Sequence, residues 1–194
     1  MKKIIYLLRH GETLFNTQHK IQGWCDSPLT QKGIKQAEIA SQWFKNEGIT
    51  FDSAYCSTSE RASDTLEIIT GSAIKYQRLK GLKEWNFGAF EGKDECLNPV
   101  LPYGDFFEYY GGEKQKDFQK RIVSTITNIA KNDPAQSILI VSHGAACAQF
   151  CRYWEKYNKV QYQRGIKNCS IMEFSYENDI FSCRKITVHD FSSL

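Results

Sequence analysis

Ile4-Ile5-Tyr6-Leu7-Leu8-Arg9-His10-Gly11 decides the fold, together with its echo Ile138-Leu139-Ile140-Val141-Ser142-His143-Gly144. Each begins as an unbroken apolar run, the pattern of a strand buried on both faces of a sheet. Each then ends in a His-Gly pair. Between and after them the periodicity alternates between strand and helix. Gln31 to Glu47 reads as a helix, with Ile34, Ala37, Ala40, Trp43 and Phe44 on one stripe, Thr30 as cap and Gly48 at the end. Asp52–Cys56 reads as a strand. Ser57-Thr58-Ser59-Glu60 has the form of a capping box opening a helix through Thr70, and Ala73–Gln77 reads as a third strand. A second helical stripe follows Lys114 through Phe118, Ile122, Ile126 and Ile129, and Ala145–Tyr153 reads as a further helix. Ile171–Tyr176 and Phe181–Thr187 predict a closing hairpin. The expected fold is α/β: a three-layer α/β/α sandwich on a mixed, mainly parallel sheet of about six strands, one of them antiparallel.

The 194 residues fit one domain, 1–194, interrupted at about 86–112 by a stretch with no clean period. Five glycines and two prolines in that stretch predict an irregular excursion over the site. Lys plus Arg is 25 and Asp plus Glu is 22, so the net charge of +3 gives no support for a nucleic-acid or membrane-surface partner. The apolar run after Met1-Lys2-Lys3 stops at Arg9, too short for a secretory leader, and no stretch approaches a membrane span. A soluble, cytoplasmic protein is expected. The seven cysteines have an odd count, no C-x-x-C pair and no matching metal-ligand partners. They read as reduced, mostly buried thiols.

In an open parallel sheet, ligands sit beyond the carboxyl ends of the strands. Two histidines delivered there face each other across the crevice, and a glycine after each lets backbone approach a ligand closely. A lone histidine after a strand is usually a satisfied structural residue; two in matching contexts, out of only four, point to a site. His19 and His189 have no such context. Arg61, early in the helix after strand 52–56, adds a planar, multidentate anion binder at the same edge.

Arg9-His10-Gly11-Glu12-Thr13, Asn16, Gln22-Gly23-Trp24 and Asp26-Ser27-Pro28-Leu29-Thr30 resemble the first block of the histidine phosphatase superfamily, also called phosphoglycerate-mutase-like. Ser57 with Arg61-Ala62 and Thr65 resembles the second block. Leu82-x-Glu84 with Phe87-Gly88-x-Phe90-Glu91-Gly92 resembles the third, and Ser142-His143-Gly144 the fourth. Ser59 departs from the pattern, where many relatives carry Leu. The resemblance implies that His10 takes the phosphoryl group and that Arg9, Arg61 and His143 grip the phosphate oxygens. Asn16, Gln22, Gly23 and the Gly144 amide lie around the same pocket, and Glu84 gives and takes the proton. A protonated His143 is expected to share the anion's charge with the two arginines. No metal or other cofactor is expected, and the implied partner is a small phosphomonoester.

Residues 86–116 carry three basic side chains, Lys93, Lys114 and Lys116, against six acidic ones, Glu91, Asp94, Glu95, Asp105, Glu108 and Glu113. That balance predicts a phosphomonoesterase, not a mutase with a second phosphate site; should a second site exist, Arg78, Lys80 and Lys83 are the first candidates. Seven aromatics in the excursion either favour a leaving group with an apolar face or simply pack the excursion down. A mutase-type phosphotransferase and a non-catalytic phosphate-binding module are the alternatives. The second has no need of nucleophile and acid together.

Overall fold

The computed structural model describes residues 2–161, 165–192 and 194. Its six strands are β1 (Lys3–Arg9), β2 (Ser53–Ser57), β3 (Tyr76–Leu79), β4 (Ser137–Ser142), β5 (Ile171–Glu177) and β6 (Ile180–Thr187), in the sheet order β3-β2-β4-β1-β5-β6. β1 runs parallel to β4, and β4 to β2 and β2 to β3 likewise. β5 is antiparallel to both its neighbours, so it is the one reversed strand. The helices are α1 (Leu14–Thr17), α2 (Gln31–Asn46), α3 (Glu60–Thr70), α4 (Gln115–Asn132) and α5 (Gly144–Tyr153). None of the described helices is long and apolar enough to cross a membrane.

Alternation along the central strands builds two cores. Ile5 and Leu7 of β1, with Ile138 and Ile140 of β4, face Phe118, Ile122 and Ile126 of α4 and Phe150 of α5. Their sequence neighbours Tyr6, Leu8, Leu139 and Val141 face Ala37, Ala40 and Phe44 of α2 and Leu66 and Ile69 of α3. The period of two along each strand explains why the runs show no polar gap: both faces are covered. Each fully buried Leu, Ile or Phe contributes roughly 1.5–3 kcal/mol relative to exposure.

Two local expectations are corrected. β3 spans Tyr76–Leu79, starting three residues later and ending two later than the sequence suggested. Gly71 and Ser72 take left-handed φ after α3, and the ladder with β2 begins only at Tyr76, opposite Ala54. The capping box at Ser57 does not form. Ser59 is the residue preceding α3 and makes no side-chain cap, while the Ser57 hydroxyl is used elsewhere. The excursion is irregular as expected, apart from short 3-10 turns at Gly88–Phe90, Glu95–Leu97 and Phe106–Tyr110. All seven cysteines are free thiols, five of them buried, with Cys25 half-buried and Cys96 exposed.

Candidate active site

β1 and β4 are adjacent, with Arg9 in register with Ser142. The residues that follow them therefore emerge side by side, and the His10 amide bonds the Ser142 carbonyl at 3.1 Å. The two imidazole rings lie edge to face, 5.2 Å between centroids. This is the switch point of the sheet, where the chain has built outward through β2 and β3 and returns through β4.

His10 is nearly buried, and both ring nitrogens are engaged. Nδ1 lies 2.7 Å from the Gly11 carbonyl, an acceptor only, so Nδ1 carries the proton. Nε2 is left with its lone pair, which accepts from Arg61 Nε at 3.2 Å. Arg61 is fully buried. The rest of its guanidinium is held from behind: Nη1 donates to the Cys25 carbonyl (2.9 Å) and to Asp26 Oδ1 (2.7 Å), and Nη2 to the Gly23 carbonyl (2.8 Å). Arg9 donates through Nη1 to the Ile166 carbonyl, and its buried Nε has no partner among the described residues.

His143 precedes α5 and is fully buried. Its Nε2 lies 2.7 Å from the Ser57 hydroxyl. The Ser59 amide donates to the same oxygen (3.3 Å), which still leaves that hydroxyl one proton to give and one lone pair to share with Nε2. Nδ1 has no partner among the described residues. Burial first, and then Arg61, His10, Lys83 and Arg9, hold the pKa of His143 well below the ordinary histidine value. With only these groups around it the ring is held neutral; the imidazolium was expected beside a phosphate dianion. His10 is lowered in the same way, by burial, Arg61 and Arg9.

Glu84 follows the turn Lys80–Leu82 and points its carboxylate at the head of α5. Oε1 accepts from the Trp85 amide (2.9 Å) and the Ala146 amide (3.0 Å), and Oε2 from the Ala145 amide (2.8 Å). These donors and the arginines favour the anion, but burial outweighs them and its pKa is raised.

Arg9, His10, Asn16, Gln22, Glu84 and Gly144 line one cavity of about 670 Å³. Asn16 Oδ1 accepts from the Asn168 side chain (3.2 Å), and Gln22 accepts from Thr13 Oγ1 (2.8 Å) and donates to Ser27 Oγ (2.9 Å). Arg61 and His143 stand behind His10, and Gly23 contributes its carbonyl to Arg61 without lining the cavity. Gly11 does not open the chain toward a ligand as expected. A Cβ there would lie 2.5 Å from the Gly33 carbonyl, so the glycine lets the loop after β1 press against the start of α2. His19 is exposed on the surface, and His189 packs edge-on against Trp43 and at a tilt against Phe191. Among the described residues, no cluster of three or more His, Cys, Asp or Glu is placed to hold a metal ion.

The sequence profile of the histidine phosphatase superfamily (branch 1) matches residues 5–189. The chain belongs to that superfamily. A 2,3-bisphosphoglycerate-dependent phosphoglycerate mutase of Elusimicrobium minutum (strain Pei191) is 32% identical over 138 residues, which are 69% of this chain and 52% of that protein. The alignment thus spans about half the length of that relative. The phosphoglycerate mutase structure from Bacillus anthracis str. Sterne superposes with a TM-score of 0.84 at 27% identity, covering 98% of this chain and 94% of that one. The phosphoserine phosphatase of Entamoeba histolytica in complex with 3-phosphoglyceric acid gives 0.75 at 27% identity, with 97% and 98% covered. The superfamily thus brings both phosphatase and mutase neighbours.

The excursion over the site differs from its composition. Of its acidic residues only Glu95 lines the cavity. Asp94 pairs with Lys20, Glu108 with Lys114 and Glu113 with Arg121, while Glu91 bonds main-chain amides. Arg78, Lys80 and Lys83 are not on the wall either: Arg78 bonds the Thr58 carbonyl, and the two lysines sit over the Trp24 ring. Among the described residues, the basic ones that do line it are Arg9, Lys20 and Arg152. Among the seven aromatics, Phe87 and Tyr103 reach the cavity. Phe90, Phe106 and Phe107 pack on one another and Tyr110 on two of them, while Tyr109 is 84% exposed. Most of the rings pack the excursion.

Residues that the sequence reading missed surround the site. Ser57 orients His143. Thr65 accepts the Gly11 amide (3.1 Å), and Asn168 donates to the His10 carbonyl (3.1 Å). The Cys169 amide bonds the Arg9 carbonyl (3.0 Å). Arg121 bonds the carbonyls of Gly81, Lys83 and Glu84, fixing the segment that carries Glu84. Ser57 and Thr65 were visible as part of a family block, though not in these roles; the others are joined to the site by contacts far apart in sequence.

Proposed function

We propose that this protein is a metal-independent phosphomonoesterase that acts on a small phosphorylated metabolite through a phosphohistidine on His10. One observation carries the reading: His10 offers an unprotonated Nε2, fixed by the Gly11 carbonyl, in the same cavity as a carboxyl group raised toward its acid form. A phosphate-binding module needs neither.

In the first transfer, Arg61 Nε gives up its hydrogen bond to His10 Nε2 and turns to the phosphate, His10 Nε2 forms the N–P bond as the ester P–O bond breaks, and Glu84 gives its proton to the leaving oxygen. In the second, water attacks phosphorus, Glu84 takes a proton from it, and the N–P bond breaks to restore His10 and release phosphate. Arg9, on the cavity wall with its Nε unpartnered among the described residues, stabilises charge on the equatorial oxygens directly, and Arg61 and His143 add to the positive field from beside His10. Beyond the phosphate end, the wall combines Phe87, Leu101, Pro102 and Tyr103 with the amides Asn98 and Gln115. That lining suits a leaving group with an apolar face and hydroxyls.

A mutase-type transfer is the second reading, favoured by Lys20 and Arg152 on the cavity wall and by the mutase relatives. Against it, Asp94 already engages Lys20 at 2.9 Å, and Glu95 shares the wall. The test is a brief incubation with a labelled phosphomonoester, with and without chelator. An acid-labile, base-stable label on His10 and release of inorganic phosphate are expected, and His10→Ala abolishes both. Interconversion of phosphoglycerates without net phosphate release would establish the mutase; a dependence on divalent ions would overturn the mechanism.

A further inference from the structure

Glu91 touches neither His10 nor the cavity, yet its carboxylate is saturated. Oε1 accepts the amides of Trp24 (2.7 Å) and Phe87 (3.0 Å), and Oε2 those of Gly23 and Cys25 (both 3.0 Å). Four main-chain donors fill the acceptor capacity of a carboxylate. Three of them belong to one loop, and the carbonyls of that loop face the other way. Those of Gly23 and Cys25 hold Nη2 and Nη1 of Arg61, whose Nε then meets His10 Nε2. The loop is therefore a two-sided plate, with N–H groups on the carboxylate and C=O groups on the guanidinium. Gly23 is wedged in it: a Cβ would lie 2.1 Å from the Trp85 carbonyl and 2.5 Å from Glu91 Oε1.

We propose that Glu91 is a positioning residue, which folds residues 23–25 into the cradle that aims Arg61 at His10. Charge-assisted bonds to main-chain amides are stronger and shorter than neutral ones, so one side chain fixes the whole turn. Without it, the two carbonyls no longer fix the guanidinium, and Arg61 relaxes toward Asp26 alone. The charged and titratable groups that face His10 are Arg61 from α3, Arg9 from β1 and His143 before α5. Arg9 and His143 do not depend on the loop, so the change at His10 reports on Arg61.

The experiment is a histidine-ring NMR titration of the folded protein, wild type against Glu91→Gln and Glu91→Asp, with His10 assigned by its own substitution. The glutamine brings an amide donor against two main-chain donors, and the aspartate is one methylene short of spanning both pairs. His10 is expected to titrate at higher pH in both variants, nearer the ordinary histidine range. Phosphoenzyme formation is expected to slow by about tenfold to a hundredfold, and more at acid pH than at alkaline pH. A purely structural role would scale activity with folded fraction and leave the titration in place. An unmoved His10 in a folded Gln variant, or in the Asp variant should the Gln variant not fold, overturns the proposal. The rate arm rests on the phosphomonoesterase reading. The titration does not, so a wild type that never takes label would refute that reading and leave Glu91 still decided.

Discussion

Replacing Glu84 with glutamine separates proton transfer from everything else the site does. In the proposed mechanism the first transfer needs His10 neutral and Glu84 protonated at the same moment. With ordinary values, 6.5 for the histidine and 4.5 for the glutamate, that combination is only about 1% of the singly protonated pair. Burial moves both groups in the useful direction, His10 down and Glu84 up, and each tenfold gain in the reactive form is worth about 1.4 kcal/mol. In Glu84→Gln the amide oxygen keeps the Trp85 and Ala146 donors. The amide nitrogen then faces the Ala145 donor, leaving one N–H unpaired at a cost of about 1–3 kcal/mol, offset by no longer burying a charge. The variant should fold. Its kcat/KM on an alkyl phosphate is expected to fall by about 10²–10⁴. On p-nitrophenyl phosphate, whose leaving group needs little help, the fall should be under about tenfold. The wild-type profile should decline on the alkaline side as Glu84 loses its proton, and the glutamine variant should lack that limb. Equal losses on the two esters, or an unchanged alkaline limb, would refute the assignment.

Arg121→Lys should lower stability by about 2–3 kcal/mol in urea unfolding, because lysine cannot keep the two-pronged pair to Glu113 and three carbonyl bonds; an unchanged midpoint would refute the bracing role. Phe107→Ala, which empties the fully buried centre of the aromatic excursion, should cost about 3–5 kcal/mol, with a smaller loss showing that the rings repack. His10 and His143 are both held neutral in the fold, so below about pH 6.5 the unfolded chain binds protons that the folded one does not. Unfolding free energy should fall on acidification by up to about 1.4 kcal/mol per histidine per pH unit. Glu84, raised in the fold, works in the opposite sense but is one group against two. Denaturation midpoints that do not change between pH 7.5 and 5.5 would contradict this sign.

The strands were legible because burial on both faces leaves an unbroken apolar run, and the helices because Phe118, Ile122, Ile126 and Ile129 repeat at helical spacing. β3 was misplaced because an edge strand of Tyr, Gln, Arg and Leu carries no such signal. His10 and His143 were legible through matching strand ends. The work of Ser57, Glu91, Asn168 and Arg121 was not, since a side chain that bonds distant main chain leaves no period in the sequence. Ser57 shows the ambiguity: a serine three residues before a glutamate fits a capping box, but here its hydroxyl is taken by a histidine 86 residues away. The acidic count of the excursion misled for a related reason, because composition does not say which carboxylates face the cavity and which are paired outside it.

The neutral state of His143 and the imidazolium implied by the family resemblance describe two charge environments of one site. Apart from burial, every group that lowers His143 is basic: Arg61, His10, Lys83 and Arg9. A phosphate dianion set among them opposes each of those terms and favours the proton on the ring. The same dianion near Glu84 raises a carboxyl that burial has already raised. Substrate charge therefore moves both groups toward their acid forms, the form His143 needs to stabilise the transferring oxygens and the form Glu84 needs to protonate the leaving group. Before the attack His10 resists this pull, because Arg61 Nε holds the Nε2 side and the Gly11 carbonyl the other; the Arg61 bond gives way only as Nε2 meets phosphorus. On the proposed roles, the cradle that holds Arg61 keeps nucleophile and acid in opposite protonation states up to the moment of attack, while an anion draws protons into the site.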